Sequence, residues 1–325
     1  MRDRVSIGID IGGTKVAGGV VGPDGVIAGR RRRDTPHLST AATVIEDLIV
    51  EVVEELMTGL DPESVAAIGI GAAGFVAADR ATVVFAPHLS WRDEPLRERL
   101  QHRLPKPVFI DNDANAAVWA EWRFGAARGH SHVVMITLGT GIGGGLLWEG
   151  QVIRGGHGIA GEYGHMQVVP DGIRCQCGNR GCWEQYASGN ALVREARALV
   201  TSRSPIAMDM ISRVDGDPAN LTGPLITEAA REGDRMAIEL LAEIGTWLGV
   251  GMANLAAAFD PGIFIVGGGV SAAGDLLLDP ARVAFAKQLT GRGHRPEARI
   301  VVAELGNDAG LIGAADLARA SVDGP

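Results

Sequence analysis

All three cysteines of the chain, Cys175, Cys177 and Cys182, fall within eight residues, and His165 precedes them in the string His165-x9-Cys175-x-Cys177-Gly178-x-x-Gly181-Cys182. Three thiolates and one imidazole can close a tetrahedral shell around Zn²⁺, and Gly178 and Gly181 let the backbone wrap an ion. Such a set leaves no open coordination position, so the metal would hold a loop in shape and take no part in a reaction. A disulfide is the competing use of these residues, opposed by the odd cysteine count. Redox chemistry fits less well, because the spacing is not Cys-x-x-Cys. Glu162, in Gly161-Glu162-Tyr163-Gly164-His165, and Glu184, in Cys182-Trp183-Glu184, flank the cluster. A glutamate taken singly is ordinarily a solvated surface group. Tied to a metal-stiffened loop, Glu162, His165 and Glu184 could instead present fixed partners to sugar hydroxyls.

Two glycine-rich turns point to phosphate. Asp10-Ile11-Gly12-Gly13-Thr14-Lys15 and Gly139-Thr140-Gly141-Ile142-Gly143-Gly144-Gly145 each join two strand-like segments. In the first, backbone N–H groups and the Thr14 hydroxyl could cradle phosphate oxygens while Asp10 holds Mg²⁺ directly or through water. Either turn alone reads equally well as an ordinary hairpin, since short glycine motifs are frequent by chance. Their recurrence 127 residues apart, at Gly12 and Gly139, sets them above that background. No G-x-x-x-x-G-K-[ST] string is present, and no dinucleotide fingerprint follows the first strand. Paired hairpin turns of this kind resemble the phosphate loops of the actin, Hsp70 and hexokinase ATPase fold.

A third polar group, Asp111-Asn112-Asp113, stands at the exit of a strand over 107–110 and opens an alanine-rich helix ending near Gly125. Open α/β sheets place ligands at such exits. Asp113 could accept a proton from a hydroxyl and orient its oxygen. It could equally be a helix N-cap, with Asp111 as an N-cap-like or packing partner.

These residues need strands and helices to place them. Alternating β-branched residues predict strands over 5–11, 15–21 and 26–30, with a turn at Pro23-Asp24-Gly25. Helical spacing covers 40–57, with Ser39 or Thr40 as N-cap. A strand over 65–70, a short helix over 94–104 and the strand over 107–110 follow. Strand, glycine turn, strand, turn and strand then repeat over 132–138, 144–148 and 151–154, which predicts two copies of one α/β lobe with a cleft between them. A long helix over about 234–259 and a buried strand over 262–266 leading to Gly267-Gly268-Gly269 follow, and the chain ends in a helix over about 308–320. Residues 202–223 read as a surface excursion or a helix-flanking loop.

The composition narrows the classes. A chain of 325 residues, 46% hydrophobic, can bury a sizeable core as one large domain or two lobes. A net charge of −9 offers no electrostatic footprint for nucleic acid or an anionic membrane. The basic run Arg30 to Arg33 reads as a solvated strand edge. No apolar run follows residues 1–4, so no secretory signal is expected and the compartment is read as reducing and cytoplasmic. The longest apolar window, 244–259, is shorter than the roughly 18 residues of a membrane span and reads as a core helix. Glycine, at 46 residues, is about twice as frequent as usual and clusters at strand ends.

In order along the chain, the Asp10 turn, Gly71-Ala72-Ala73-Gly74, Asn112-Asp113, the Gly139 turn, Gly161-Glu162-Tyr163-Gly164-His165, the cysteine cluster with Glu184, Gly267-Gly268-Gly269 and Asp308-Ala309-Gly310 resemble the ROK family of repressors, open reading frames and sugar kinases, most closely its bacterial glucokinases. The resemblance implies an α/β, two-lobed ribonuclease H-like fold with a duplicated βββαβαβα lobe. Residues 1–113 with about 306–325 would form the small lobe and 114–305 the large lobe carrying the zinc loop. It implies transfer of the ATP γ-phosphoryl group to the 6-hydroxyl of glucose, with Mg²⁺ as cofactor and Zn²⁺ held by His165, Cys175, Cys177 and Cys182. Asp113 would be the catalytic base. Gly74, Asn112, Asp113, Glu162, His165 and Glu184 would line the hexose site, with His165 using one ring nitrogen for zinc and the other for a hydroxyl. Asp10, Gly12, Gly13, Thr14, Lys15, Gly139, Thr140 and Gly141 would serve the ATP phosphates, and Gly267, Gly268 and Gly269 the adenosine. A homodimer or homotetramer is expected. Kinases for N-acetylglucosamine, N-acetylmannosamine, mannose or fructose are the alternatives within the family, and a sugar sensor without catalysis is disfavoured by the intact Asp113 and both turns. Where many relatives have Pro, Gly71-Ala72-Ala73-Gly74 carries Ala. Repressor members carry an N-terminal helix-turn-helix domain, whereas this chain starts about four residues before its first strand, so no nucleic-acid partner is expected.

Overall fold

Runs of valine and isoleucine separated by small residues favour extended backbone, because β-branched side chains are stiff and pack well on a pleated surface. The computed structural model describes residues 4–35, 41–87 and 89–323. It begins with β1 (Val5–Ile11), β2 (Lys15–Val21), β3 (Ile27–Asp34), α1 (Ala42–Met57), β4 (Val65–Ala72), β5 (Phe75–Val76), β6 (Val83–Phe85), β7 (Arg92–Glu94), α2 (Leu96–Gln101), β8 (Val108–Asn112) and α3 (Asp113–Phe124). There follow β9 (His132–Leu138), β10 (Ile142–Trp148), β11 (Gln151–Val152), α4 (Glu184–Ala187), α5 (Gly189–Thr201), α6 (Met208–Arg213), α7 (Gly223–Arg231), α8 (Arg235–Phe259), β12 (Ile263–Gly267), α9 (Asp275–Gln288), β13 (Arg299–Val302) and α10 (Ala309–Asp323).

One sheet has the order β3-β2-β1-β4-β8 and another the order β11-β10-β9-β12-β13. The expected duplication is therefore present. β1 and β9 are both seven residues long with the same sequence of buried and half-buried positions. The chain divides into two compact units, one of Met1–Val133, Gly145–Gly161 and Glu304–Pro325, the other of Val134–Gly144 and Glu162–Ala303.

In the first unit β1 and β2 are antiparallel, as are β2 and β3, whereas β1, β4 and β8 run parallel. Ile7, Ile9, Ile68, Ile70 and Ile110 form the core with Ile45, Ile49, Val52 and Val53 of α1. Helices α3 and α10 pack closely: a Cβ on Gly313 would lie 1.7 Å from the carbonyl oxygen of Ala116, so only glycine fits there. The Arg30 to Arg33 run sits on the edge strand β3, where Arg31 and Arg33 pair with Glu55 of α1, as a solvated edge should.

Several boundaries differ from the sequence reading. The expected N-cap at Ser39 or Thr40 lies outside the described residues. The helix expected over 94–104 starts only at Leu96, because Pro95 occupies the N-cap position and Glu94 pairs in β7. A third sheet, β5-β6-β7, went unforeseen. The strand expected over 151–154 stops at Val152, since Arg154 turns its side chain to a buried partner. Residues 202–223 contain α6, anchored by the buried Met210.

In the second unit Asp234 caps α8 by accepting a hydrogen bond from the Ala237 N–H at 2.9 Å, and Asp260 ends it in the left-handed conformation at φ 44°. By length and composition alone α8 could cross a membrane, but 61% of its most apolar stretch is buried inside the protein. It is a core helix, with Gly249 against the backbone of α9.

The α3/α10 contact is testable. Overpacking a dense interior costs about 1–3 kcal/mol, so Gly313→Ala should lower Tm by several degrees, whereas Gly223→Ala, with nothing within 4 Å of the added methyl, should not. Differential scanning calorimetry of both variants checks this; equal melting temperatures would contradict the close contact.

Candidate active site

Within the first unit the β1–β2 turn is closed by Gly12 N–H donating to the Lys15 carbonyl at 3.0 Å. The end of β3 braces it: the Thr35 hydroxyl donates to the Gly12 carbonyl at 2.7 Å, and Thr35 N–H to the Thr14 carbonyl at 3.1 Å. No atom lies within 4 Å of where a Cβ on Gly12 would sit, so the turn presents bare backbone. Asp10 Oδ2 lies 3.4 Å from Lys15 Nζ. Burial raises the Asp10 pKa, Lys15 opposes that, and nearby Asp308 adds to it. Asp308 is itself lowered by Arg30, whose Nη2 donates to Oδ2 at 2.8 Å. Hard carboxylate oxygens around an exposed turn are the donors Mg²⁺ takes, so Asp10 fits that ion.

Sheet register brings the strand-exit residues to the same edge. Asp10 pairs with Gly71 and Gly71 with Asp111, while Ile11 pairs with Ala72 and Ala72 with Asn112. A Cβ on Gly71 would lie 3.6 Å from Asp113 Cα. The cap of α3 is Asn112 and not Asp113: its Oδ1 accepts from Ala114 N–H at 2.9 Å and Asn115 N–H at 3.1 Å. Asp113 is the first helical residue. Asn112 Nδ2 also donates to the Gly74 carbonyl at 3.1 Å, which joins two of the expected hexose-site residues.

Asp111 is a packing partner, 4% exposed. Arg154 donates to it through Nε at 2.9 Å and Nη2 at 2.5 Å, Asn115 Nδ2 at 3.2 Å, and Arg80 Nη2 lies 3.4 Å away. Sequence reasoning missed Arg154, Arg80 and Asn115. Asn115 lies only four residues after Asp111, in the first turn of α3, and was the nearest of the three in sequence; a charge following the apolar Val152-Ile153 was a weaker signal.

In the second unit the Gly139 turn is braced by the start of α5, where Gly189 N–H donates to the Gly139 carbonyl at 2.9 Å and Asn190 N–H to that of Thr140 at 3.3 Å. Gly268, at φ 82°, lies so close to β9 that a Cβ would meet the Leu138 carbonyl oxygen at 2.4 Å. Gly267, Gly268 and Gly269 therefore gather at the strand exit where the Gly139 turn begins.

The donor atoms of His165, Cys175, Cys177 and Cys182 all lie within 4.8 Å of one another. Zn–S bonds of about 2.3 Å imply tetrahedral edges of about 3.8 Å. Cys177 Sγ to Cys182 Sγ is 3.6 Å and Cys175 Sγ to His165 Nδ1 is 3.7 Å, so the cluster fits the ion. All three cysteines are free. Burial, with Glu184 alongside, pushes the Cys175 thiol up to about 12, and burial with the Cys177 thiol raises Cys182. Cys177 goes the other way: burial is outweighed by the Asn179 N–H and the neighbouring thiols. His165 turns Nδ1 inward, which leaves Nε2 for another partner. Glu184 reaches both ways, with Oε1 accepting from Cys175 Sγ at 3.1 Å and Oε2 lying 2.6 Å from where a Gly141 Cβ would be. The Glu162 pKa is raised by burial, against the pull of His165 and with a push from Glu184.

The chain is similar to known proteins over nearly its whole length. The glucokinase of Streptomyces coelicolor is 48% identical over 315 residues, covering 97% of this chain and 98% of that one. The glucokinase of Thermotoga maritima is 36% identical over 319 residues, covering 98% of each. A crystal structure of a ROK family glucokinase from Streptomyces griseus, in complex with glucose and AMPPNP, superposes with a TM-score of 0.87 at 49% identity, covering 97% of this chain and 99% of that one. The fold is accordingly the actin/hexokinase-like ATPase fold. The ROK family model matches residues 6–321, and the chain belongs to the ROK family.

Proposed function

We propose that the protein transfers the γ-phosphoryl group of ATP to the 6-hydroxyl of glucose. The observation that carries this reading is the register of β1, β4 and β8, which sets the Asp10 turn and Asn112-Asp113 at one sheet edge. Likeness to glucokinases over nearly the whole chain supports the substrate pair.

In this reading Asp113 accepts the 6-hydroxyl proton as O6 bonds to the γ-phosphorus and ADP departs. Gly74, Asn112, Glu162, Glu184 and His165 Nε2 hold the other hydroxyls. Gly12, Gly13, Thr14, Lys15, Gly139, Thr140 and Gly141 hold the phosphates, and Gly267, Gly268 and Gly269 the adenosine. Asp10 would hold Mg²⁺, which when bound neutralises charge on the β- and γ-phosphates. The division into a small lobe, 1–113 with about 306–325, and a large lobe, 114–305, belongs to the same reading, as do a cytoplasmic location and a homodimer or homotetramer. Little covalent chemistry falls to the protein in phosphoryl transfer, so positioning carries most of the rate.

Two experiments test this. A coupled ADP-release assay over glucose, mannose, fructose, N-acetylglucosamine and N-acetylmannosamine should show the highest kcat/KM with glucose; no turnover with any sugar would refute the kinase reading. In the same assay Asp113→Asn should lower kcat by about 10²-fold or more with Tm little changed, because the cap is Asn112 and stays. Near-wild-type turnover would remove Asp113 from the role of base.

The metal is tested separately. Elemental analysis of purified protein should find about one equivalent of zinc. Cys177→Ser should lose that zinc, melt lower and bind glucose more weakly, because the same loop carries His165 and Glu184. Metal-free wild-type protein with unimpaired glucose affinity would contradict the assignment.

A further inference from the structure

We propose that Arg154 is a positioning residue for phosphoryl transfer, holding Asn112 and Asp113 in place through the buried carboxylate of Asp111. The inference rests on the reading of Asp113 as the base. It is carried by the geometry around Asp111, which lies one residue before the end of β8 and is 4% exposed.

A buried carboxylate is tolerated only when its lone pairs are met. Asp111 Oδ2 accepts from Arg154 Nε at 2.9 Å and Nη2 at 2.5 Å, and Oδ1 accepts from Asn115 Nδ2 at 3.2 Å and from the backbone N–H of Asn112 at 3.0 Å. Arg80 adds a second guanidinium 3.4 Å away. Apolar residues of similar volume often replace buried ion pairs without loss of stability, so we read the ionic network here as serving fixed geometry.

That geometry passes directly to the site. Asn112 is held at its backbone N–H by Asp111, at Oδ1 by the first N–H groups of α3, and at Nδ2 by the Gly74 carbonyl. The turn from β8 into α3, on which Asp113 stands, is thereby pinned on three sides. Arg154 also fixes its own segment: its Nη1 donates to the Val152 carbonyl at 3.1 Å, and its carbonyl accepts from Ala160 N–H at 3.0 Å. The chain that continues from there carries Glu162 and His165. One guanidinium thus ties the strand bearing the base to the start of the loop that leads to the hexose ligands. Nε also reaches Oδ1 at 3.2 Å, so the guanidinium spans both carboxylate oxygens, and a lysine ammonium lacks the planar fork that does this.

Steady-state kinetics and thermal melting of Arg154→Lys, Arg154→Gln, and the double variant Asp111→Asn with Arg154→Gln, beside wild type and Asp113→Asn, test the inference. Misplacing a reacting group by about 1 Å can cost 10²-fold, so Arg154→Gln should lose about 10–10²-fold in kcat with KM for ATP nearly unchanged. Arg154→Lys should recover only part of that loss. The double variant, which no longer buries a carboxylate stripped of Arg154 but leaves Arg80 without its counter-charge, should regain part of the lost Tm while kcat stays depressed. A merely structural ion pair would give the opposite result, with kcat returning alongside Tm in the double variant, or with Arg154→Gln within about threefold of wild type when folded. Either result overturns the inference. Loss of turnover in Asp113→Asn alongside such a result leaves the base in place and removes only Arg154, whereas an active Asp113→Asn removes the reading on which the inference stands.

Discussion

Direct contact between helix backbone and strand backbone underlies the first unit. A Cβ on Gly69 of β4 would lie 1.8 Å from the carbonyl oxygen of Ala314 in α10, and one on Gly313 of α10 would lie 1.7 Å from that of Ala116 in α3. With no side chain between them, strand, α10 and α3 fix one another's height. Because α3 starts at the exit of β8 and α10 starts beside Asp10, the same contacts fix where the polar residues at both strand exits stand. Glu121, fully buried in α3, completes the frame by accepting from the backbone N–H groups of Ala126, Glu304 and Leu305 at 2.9, 3.1 and 2.8 Å. Charge-assisted bonds from three backbone donors can hold a buried carboxylate where a lone one would be costly.

The metal cluster answers a different need. The segment over 173–182 has little apolar material of its own: Ile173 is exposed, and Cys175 and Cys182 supply its buried side chains. Its backbone is held by isolated bridges such as Arg174 to Arg180 and Gln167 to Cys182. A loop without a core has to recover its ordering entropy from some other cross-link, and a four-ligand ion would do that. Glu184 shows what the stiffness serves, since one of its oxygens meets the cluster and the other the Gly141 turn. The Cys₃His cluster, the hexose-binding candidate Glu184 and a phosphate-turn candidate are thus continuous in one unit.

Features written in short stretches of sequence were legible. The Cys₃His spacing, the two glycine turns and the strands around them depend on near neighbours, and the structure forms the cluster and both turns, with the strands present at shifted ends. Gly12 and Gly139 were legible as turn residues but not in their conformation: neither takes a positive φ, and both leave the backbone open. What stayed hidden rests on distant partners. Arg154 and Asp111 are 43 positions apart, and no local pattern relates them. The sheet β5-β6-β7 has strands of two and three residues, too short for a period to register. The segment over 202–223 is polar enough to read as loop, yet Met210, Val214 and Leu221 are buried because neighbouring helices cover them. Pattern reports propensity, and tertiary cover decides the outcome.

Asp111, Asn112 and Asp113 show why residue type alone could not assign the roles at the strand exit. All three have short polar side chains, and Asp and Asn cap helices about equally well. Successive side chains on a strand point to opposite faces, so the last two residues of β8 cannot share an environment. Asp111 falls on the covered face and meets Arg154 and Asn115; Asn112 falls on the other and reaches both the start of α3 and Gly74. Asp113 is then the first residue of the helix, where a negative charge is favoured by the unpaired N–H groups at its start. Shifting the end of β8 by one residue would hand the cap to Asp113 and turn Asn112 toward Arg154, leaving a guanidinium without a carboxylate. Register, fixed by the pairing of Asp111 with Gly71, is therefore what converts three interchangeable-looking residues into an anchor, a cap and a candidate base.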